Sequence, residues 1–326
     1  MRRYNQVKKT IVIILCCVLC VASFAGGYLY SNRKKQAKTT STEAQVEKYP
    51  LLAKRLFIEN PNEVIINFAE LREKLRDYIK TNNLKGSVYF EYLPTGTSVR
   101  IDGDDEYVAA SLMKIPVVME LYKDAELGKI DLDKKIPLRA EWLDKAYGDL
   151  YKKGVGYELT LREAAQYALT KSDNTAVTMI LYSTLGLLSL QENVIASLDV
   201  SLNRSDKTQI AISARSYASF LKCLYFSCYN NFQHSQEILT YLAKSEFRNR
   251  LYAGVPEGVL IAHKIGTYSS ITQSDCGIVY EVKRNYLLCV MLQVSDDTAG
   301  NAHIAAISKI TYDFILSKEP KIPVSR

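Results

Sequence analysis

With 326 residues, 48% hydrophobic and 24% charged, the chain is long enough to bury the core of one large domain with appendages. Its formal charge of +7 belongs to the N-terminus: eight of the 42 basic residues (Arg2, Arg3, Lys8, Lys9, Arg33, Lys34, Lys35, Lys38) precede the first acid, Glu43, and the remaining 34 face 35 acidic residues, which excludes nucleic acid as a partner. Three unpaired histidines and seven irregularly spaced cysteines exclude a metal mechanism, and no cofactor is expected.

In chain order, residues 1–9 read as a short cytoplasmic N-terminus and 10–30 as a transmembrane signal-anchor, because an uncharged, mostly apolar run of that length matches the roughly 30 Å bilayer core. The flanking charges are equal on both sides and do not orient the segment, so the simplest topology leaves everything after Asn32 outside the membrane. Ser23-Phe24-Ala25 offers the alternative of a cleaved signal peptide, with a secreted product, whereas Cys17-Val18-Leu19 is no lipobox for Cys20. Residues 31–62 are polar and read as a stalk, leaving 63–319 as the folded domain.

The spacing of Ile65, Phe68, Leu71, Leu75 and Ile79 predicts an amphipathic helix over 64–80. Strands are expected at 86–92 and 98–102 around a Pro94-Thr95-Gly96 turn, helices at 111–128, 161–170, 175–182 and 213–229, strands at 259–265, 276–281 and 286–294, and a last helix at 302–316. Strands at both ends with helices between imply an α+β or α/β body whose sheet joins the two ends of the chain. Cys223, Cys228, Cys276 and Cys289 are expected to be buried small hydrophobes, not a disulfide framework.

Three short polar motifs carry the chemistry. Ser111 and Lys114 lie three apart at a helix start, so the amine sits beside a hydroxyl that needs a base to become a nucleophile. In Ser172-Asp173-Asn174, a second hydroxyl can relay a proton, and the Asn174 amide can hold both a lysine and a substrate amide. In Lys264-Ile265-Gly266-Thr267 the strand alternation turns Lys264 away from His263 and Ile265, a fixed ammonium there can attract a substrate carboxylate, and Gly266 admits a close backbone. His263 is expected to be a packed strand residue and not a base. Each motif alone has an ordinary structural explanation as a cap or turn; the three in this order describe an acylating serine site.

The runs Ala109-Ala110-Ser111-Leu112-Met113-Lys114-Ile115-Pro116-Val117, Gly128-Lys129-Ile130-Asp131-Leu132, Leu159-Thr160-Leu161-Arg162-Glu163 and Ser172-Asp173-Asn174-Thr175-Ala176 make the chain resemble, over about 63–316, the class A β-lactamase-type serine hydrolases of the β-lactamase and penicillin-binding protein superfamily. The resemblance implies an α+β sandwich, with a mainly helical subdomain beside a five-stranded antiparallel sheet built from both chain ends. It implies Ser111 as nucleophile, Lys114 as base, Ser172 as proton relay, Lys264 as support for relay and carboxylate, Asn174, Gly266 and Thr267 as substrate contacts, and an oxyanion hole from the N–H groups of Ser111 and Thr267. Two departures stand out. Ile265 replaces a hydroxyl residue of the family's third motif, for which Thr267 can compensate, and the loop over 198–212 is short and lacks the deacylating glutamate, leaving Asp206 and Asp199 as the nearby carboxylates. The expectation is therefore a monomeric, membrane-anchored, extracytoplasmic enzyme opening β-lactams through an acyl-serine, with slow deacylation. The alternatives are a D-alanyl-D-alanine peptidase or transpeptidase, a small-ester hydrolase, or a non-catalytic sensor of β-lactams or cell wall.

Overall fold

The structure, a computed structural model, describes residues 67–318 except 184–189, 205–208, 270 and 282–283, together with Ser23, Gly27, Tyr28 and Ser31. The expected membrane segment at 10–30 and the stalk at 31–62 thus lie, those four residues apart, outside the described residues. Among the described residues no helix is long and apolar enough to cross a membrane.

Apolar side chains recurring every three to four residues produce helix α1 (Ala69–Thr81), which buries Leu71, Leu75 and Ile79. Each such side chain contributes about 1.5–3 kcal/mol when taken out of water. Strands β1 (Lys85–Tyr92) and β2 (Thr97–Ile101) follow as an antiparallel pair, Val88 facing Ile101 and Tyr92 facing Thr97. Near the other end of the chain come β8 (Leu260–Tyr268), β9 (Thr272–Tyr280) and β10 (Tyr286–Gln293), then the long terminal helix, α7 (Asp297–Ser317). All five strands form one antiparallel sheet in the order β2-β1-β10-β9-β8, so the two chain ends meet at the β1–β10 pair. This is the α+β architecture and the five-stranded sheet expected from the resemblance.

One face of the sheet carries α1 and α7, with Phe68 packed against Phe90, Tyr92 and Phe314. The other face supports the helical subdomain: α2 (Lys114–Glu126), α3 (Leu161–Thr170), α4 (Asn174–Ser183), α5 (Ala214–Phe226) and α6 (Phe232–Ala243). Ala262, Ile278, Leu287 and Met291 of the sheet join Leu112, Ile115, Tyr217 and Leu221 in one core between these layers. Helix α3 begins with a reciprocal cap in which the Thr160 hydroxyl accepts from Glu163 N and Glu163 Oε2 accepts from Thr160 N. Helix α6, capped by Asn231, is absent from the sequence expectations, as are five short strands: β3 (Glu106–Val108), β4 (Lys135–Pro137), β5 (Glu158–Thr160), β6 (Asn203–Arg204) and β7 (Ile210–Ser213). Two to four residues are too few to display a period of two.

The cysteine expectation is corrected. Cys223, Cys276 and Cys289 are buried as expected, but Cys276 is bonded to Cys289 and Cys223 to Cys228. Cys276 and Cys289 stand directly opposite each other on β9 and β10, a consequence of register that spacing along the chain does not reveal. Cys228 returns to Cys223 around the left-handed Ser227 at the end of α5. Loop-closure entropy for the 13-residue separation predicts that Cys276→Ala with Cys289→Ala loses about 3 kcal/mol of stability. Denaturant unfolding of the oxidised protein and of this double variant measures the difference, and equal midpoints at equal slopes would refute it.

Candidate active site

The backbone first brings the three motifs together. Ser111 lies in a single 3₁₀ turn, Ala110–Met113, that runs into α2 at Lys114, where a continuous α-helix from 111 was expected. In a 3₁₀ turn the side chains of residues i and i+3 eclipse, which places Lys114 on the side of Ser111. The turn is anchored from both directions: Ala109 N donates to Ile210 O at 2.8 Å, and Tyr217 Oη donates to Leu112 O at 3.1 Å. Strand β8 then packs directly on it. A Cβ built on Gly266 would come within 2.8 Å of Ala109 O and 2.9 Å of Leu112 Cγ, so glycine is required there for the approach of β8 to the serine turn as well as for any substrate backbone.

Ser172-Asp173-Asn174 divides its labour. Asp173 is structural: Oδ1 accepts from Ala176 N and caps α4, while Oδ2 accepts from Asp149 N and Leu150 N at 2.7 and 2.8 Å. Gly148 is pressed so closely on Asp173 that a Cβ would overlap the carboxylate at 2.2 Å. This packing turns Ser172 into the cleft. Both Ser172 (φ 56°) and Ala110 (φ 46°) occupy the left-handed region, at a cost on the order of 1 kcal/mol each that their surroundings sustain. Two strained non-glycine residues adjoining the expected chemistry are what a pre-organised site displays.

Two lysines converge on the Ser172 hydroxyl. Lys114 Nζ donates to Ser172 Oγ at 3.2 Å, to Ser172 O, and to Asn174 Oδ1 at 2.7 Å. Lys264 Nζ donates to Ser172 Oγ at 2.8 Å and to Ile265 O at 3.0 Å. With the Nζ atoms of two lysines donating to Oγ, the Ser172 hydroxyl hydrogen is left to point elsewhere, as a proton relay requires. Lys114, Ser172 and Lys264 are all buried, while Ser111 is partly exposed and Thr267 exposed at the mouth. Among the described contacts Ser111 Oγ has no side-chain hydrogen bond, so it is not tied down.

Burial lowers the Lys114 pKa to about 7, against the opposing charges of Asp173 and Asp144. Burial also drives Lys264 well below its ordinary range, helped by the charge of Lys114 and opposed by Asp275. Lys114 is therefore divided between amine and ammonium near neutral pH, the condition for a base.

His263 and Asp275 lie on the opposite face of β8 and β9 from Lys264. The imidazole Nδ1 is 2.8 and 3.0 Å from the Asp275 oxygens, and the ring is 1% exposed, which makes it the packed strand residue that was expected. Sequence reasoning missed Arg250, which is buried where β8 meets α7. Its guanidinium donates to Gly266 O at 2.9 Å, Ser274 O at 2.7 Å, Asn301 Oδ1 at 2.8 Å and Thr267 Oγ1 at 2.7 Å. It supplies positive charge behind the Thr267 hydroxyl. Also missed were Asp144, which binds Asn174, and Tyr147 with Phe247, whose rings lie 6.1 Å apart, Phe247 reaching the Lys264 ammonium at 5.8 Å. No pattern in the sequence marks any of these lone residues.

Of the expected short loop, Asp199 is exposed with φ 50°, Asn203 binds Glu106 at 2.6 Å, and Asp206 lies outside the described residues. The carboxylates whose charge reaches Lys114 are Asp173 and Asp144, and both are already held by N–H donors.

Residues 70–315 match the β-lactamase enzyme family. Among curated proteins the chain is similar to β-lactamase VEB-1 of Pseudomonas aeruginosa, 21% identical over 75% of this chain and 90% of the relative, and to a β-lactamase of Bacillus licheniformis, 25% identical over 63% and 70%. Among solved structures it is similar to PBP-A, with 22% identity and a TM-score of 0.71 over 77% of this chain and 97% of that one. A β-lactamase from Sphaerobacter thermophilus is similar at 24% identity, with a TM-score of 0.70 over 78% and 100%.

Proposed function

Because this chain belongs to the β-lactamase enzyme family and is a serine hydrolase of that kind, we propose that Ser111 attacks the carbonyl of a β-lactam and is acylated. The convergence of Lys114 and Lys264 on Ser172 Oγ carries the reading. In this mechanism the neutral Lys114 amine takes the Ser111 proton as Oγ bonds to the carbonyl carbon. The N–H groups of Ser111 and Thr267 receive the oxyanion. The Ser172 hydroxyl delivers a proton to the departing nitrogen as the amide bond breaks, and is reprotonated from the lysine pair. Asn174 holds the acyl side chain, while Thr267, backed by Arg250, and Lys264 hold the substrate carboxylate.

A second reading is transfer of the acyl group between D-alanyl peptides: the two carboxylates whose charge reaches Lys114, Asp173 and Asp144, are both held by N–H donors, which favours an amine acceptor that brings its own nucleophile over a water that needs a base. For a variant of PBP-A, to which the chain is similar, an acyl-enzyme complex with penicillin G has been solved, which supports a penicillin as the acylating probe. The cellular site proposed is extracytoplasmic, tethered through 10–30. Two disulfides support an oxidising compartment.

The test is intact mass spectrometry of the domain with penicillin G and with a diacyl D-alanyl-D-alanine peptide over time. The expected result is a covalent adduct of the penicillin mass that is lost in Ser111→Ala. An adduct that persists in that variant would overturn the assignment of the nucleophile. Release of D-alanine faster than penicillin hydrolysis would establish the peptide as the preferred acyl donor.

A further inference from the structure

Asn174 Oδ1 accepts from Lys114, so its Nδ2 must face the other way, and an amide side chain is free to rotate by half a turn unless something forbids it. What stands on the other side is Asp144, whose Oδ2 accepts from Asn174 Nδ2 at 3.3 Å. A carboxylate only accepts, so a flipped Asn174 would put oxygen against oxygen at Asp144. Lys114 adds to this preference whenever it is protonated, but as a neutral amine it can accept as well as donate. The Asp144 charge therefore reads the amide polarity in both states of Lys114.

Asp144 is itself held with unusual completeness for a loop residue. Its N–H donates to the Thr175 hydroxyl at 2.9 Å, and that hydroxyl donates back to Asp144 O at 3.1 Å, on a threonine with no exposed surface. Its second carboxylate oxygen, Oδ1, accepts from Ala146 N at 2.7 Å. The same loop accepts Asn174 N at Tyr147 O. Backbone and carboxylate of Asp144 are thus keyed to the two residues that begin α4.

We propose, resting on the acyl-serine reading above, that Asp144 is a positioning residue that fixes the orientation of the Asn174 amide and so the direction in which this site presents its donor to the substrate. One Nδ2 hydrogen is spent on Asp144, which aims the other at the cleft to meet an acyl-side carbonyl of the substrate. The charged groups facing Lys114 are Asp144 from this loop, Asp173 before α4 and Lys264 on β8, with Asp275 and Arg250 beyond Lys264. Asp144 is one of the two that favour the protonated amine. Removing its charge without changing its shape therefore lowers the Lys114 pKa further and moves the acid limb of the acylation profile to lower pH.

The experiment measures the second-order rate of acylation by a fluorescent penicillin across pH for wild type, Asp144→Asn and Asp144→Glu, together with their melting temperatures. In Asp144→Asn the new amide accepts either orientation of Asn174, so the rate falls about 10- to 100-fold and the acid limb shifts down. Asp144→Glu retains the charge, keeps the limb in place and recovers part of the rate. Should Asp144→Asn fail to fold, Asp144→Ser carries the same comparison. A lower rate with an unmoved limb and a lower melting temperature would mark a merely structural role, and an unchanged rate and limb would remove Asp144 from the site; either overturns this proposal alone. Wild type that no penicillin acylates would instead overturn the acyl-serine reading on which it rests.

Discussion

Lys114→Ala slows acylation of Ser111 by about 10²- to 10⁴-fold, the usual contribution of a positioned general base. Lys114 is about 5% exposed, its pKa is lowered to about 7 by burial, and its hydrogen-bond partners are acceptors on the second motif. Only the neutral amine can accept the Ser111 proton. A lowered pKa means that form is scarce below about 7 and predominates above it, so the wild-type acylation rate rises with pH through that region. In Lys114→Ala the residual rate shows no such step. The fold survives, because the buried charge disappears together with its partners' donor. The orphaned Ser172 and Asn174 acceptors cost about 1–3 kcal/mol each, against relief from burying an ammonium. Stopped-flow acylation of both proteins from about pH 5 to 9 decides the matter. An equal rate in the variant, or the same acid limb, would transfer the base role to another group, and Lys264 would be the first to examine.

How far the sequence carried this site follows from what each residue needed. Lys264 was legible because strand alternation alone separates it from His263, and the register bears this out, with Lys264 opposite Cys276 and Ile265 opposite Asp275. The strands of the sheet were legible for the same reason, their length sufficing to show a pattern. Ser111 and Lys114 needed only a helical turn between them, and the change from α to 3₁₀ left them on one side. The Ser172 motif was only half legible. That Asp173 caps α4 while Ser172 turns inward depends on Gly148, Asp149 and Leu150 closing over the aspartate from a separate loop. Arg250 and Asp144 were beyond reach, since each is a single charge in an irregular segment whose partners lie 17 and 30 positions away. The Cys276–Cys289 bond belongs to the same class: it is a statement about which residues face each other across β9 and β10, and only pairing reveals it.

Deacylation, not acylation, is expected to limit turnover on β-lactams. In the proposed first half-reaction the parts are in place: Ser111, a lysine with a pKa lowered to about 7, a Ser172 hydroxyl met by the Nζ atoms of Lys114 and Lys264, and Asn174 bonded to Lys114. The second half needs a base to activate water, and in class A enzymes that is a loop glutamate which the segment over 198–212 does not contain. Asp173 cannot serve, because three backbone N–H groups hold its carboxylate on the far side of the motif. Asp144 is engaged by Ala146 N and Asn174. Loss of a general base slows a step by about 10²- to 10⁴-fold, enough for the acyl-enzyme to accumulate while acylation proceeds. Rapid mixing with a chromogenic cephalosporin should accordingly give a burst equal in amount to the enzyme, followed by a slow linear phase, and the adduct on Ser111 should persist in mass spectra after free drug is removed. Steady turnover from the first milliseconds, without a burst, would show that a base is present. Loss of that turnover in Asp206→Asn, with acylation unchanged, would then identify it.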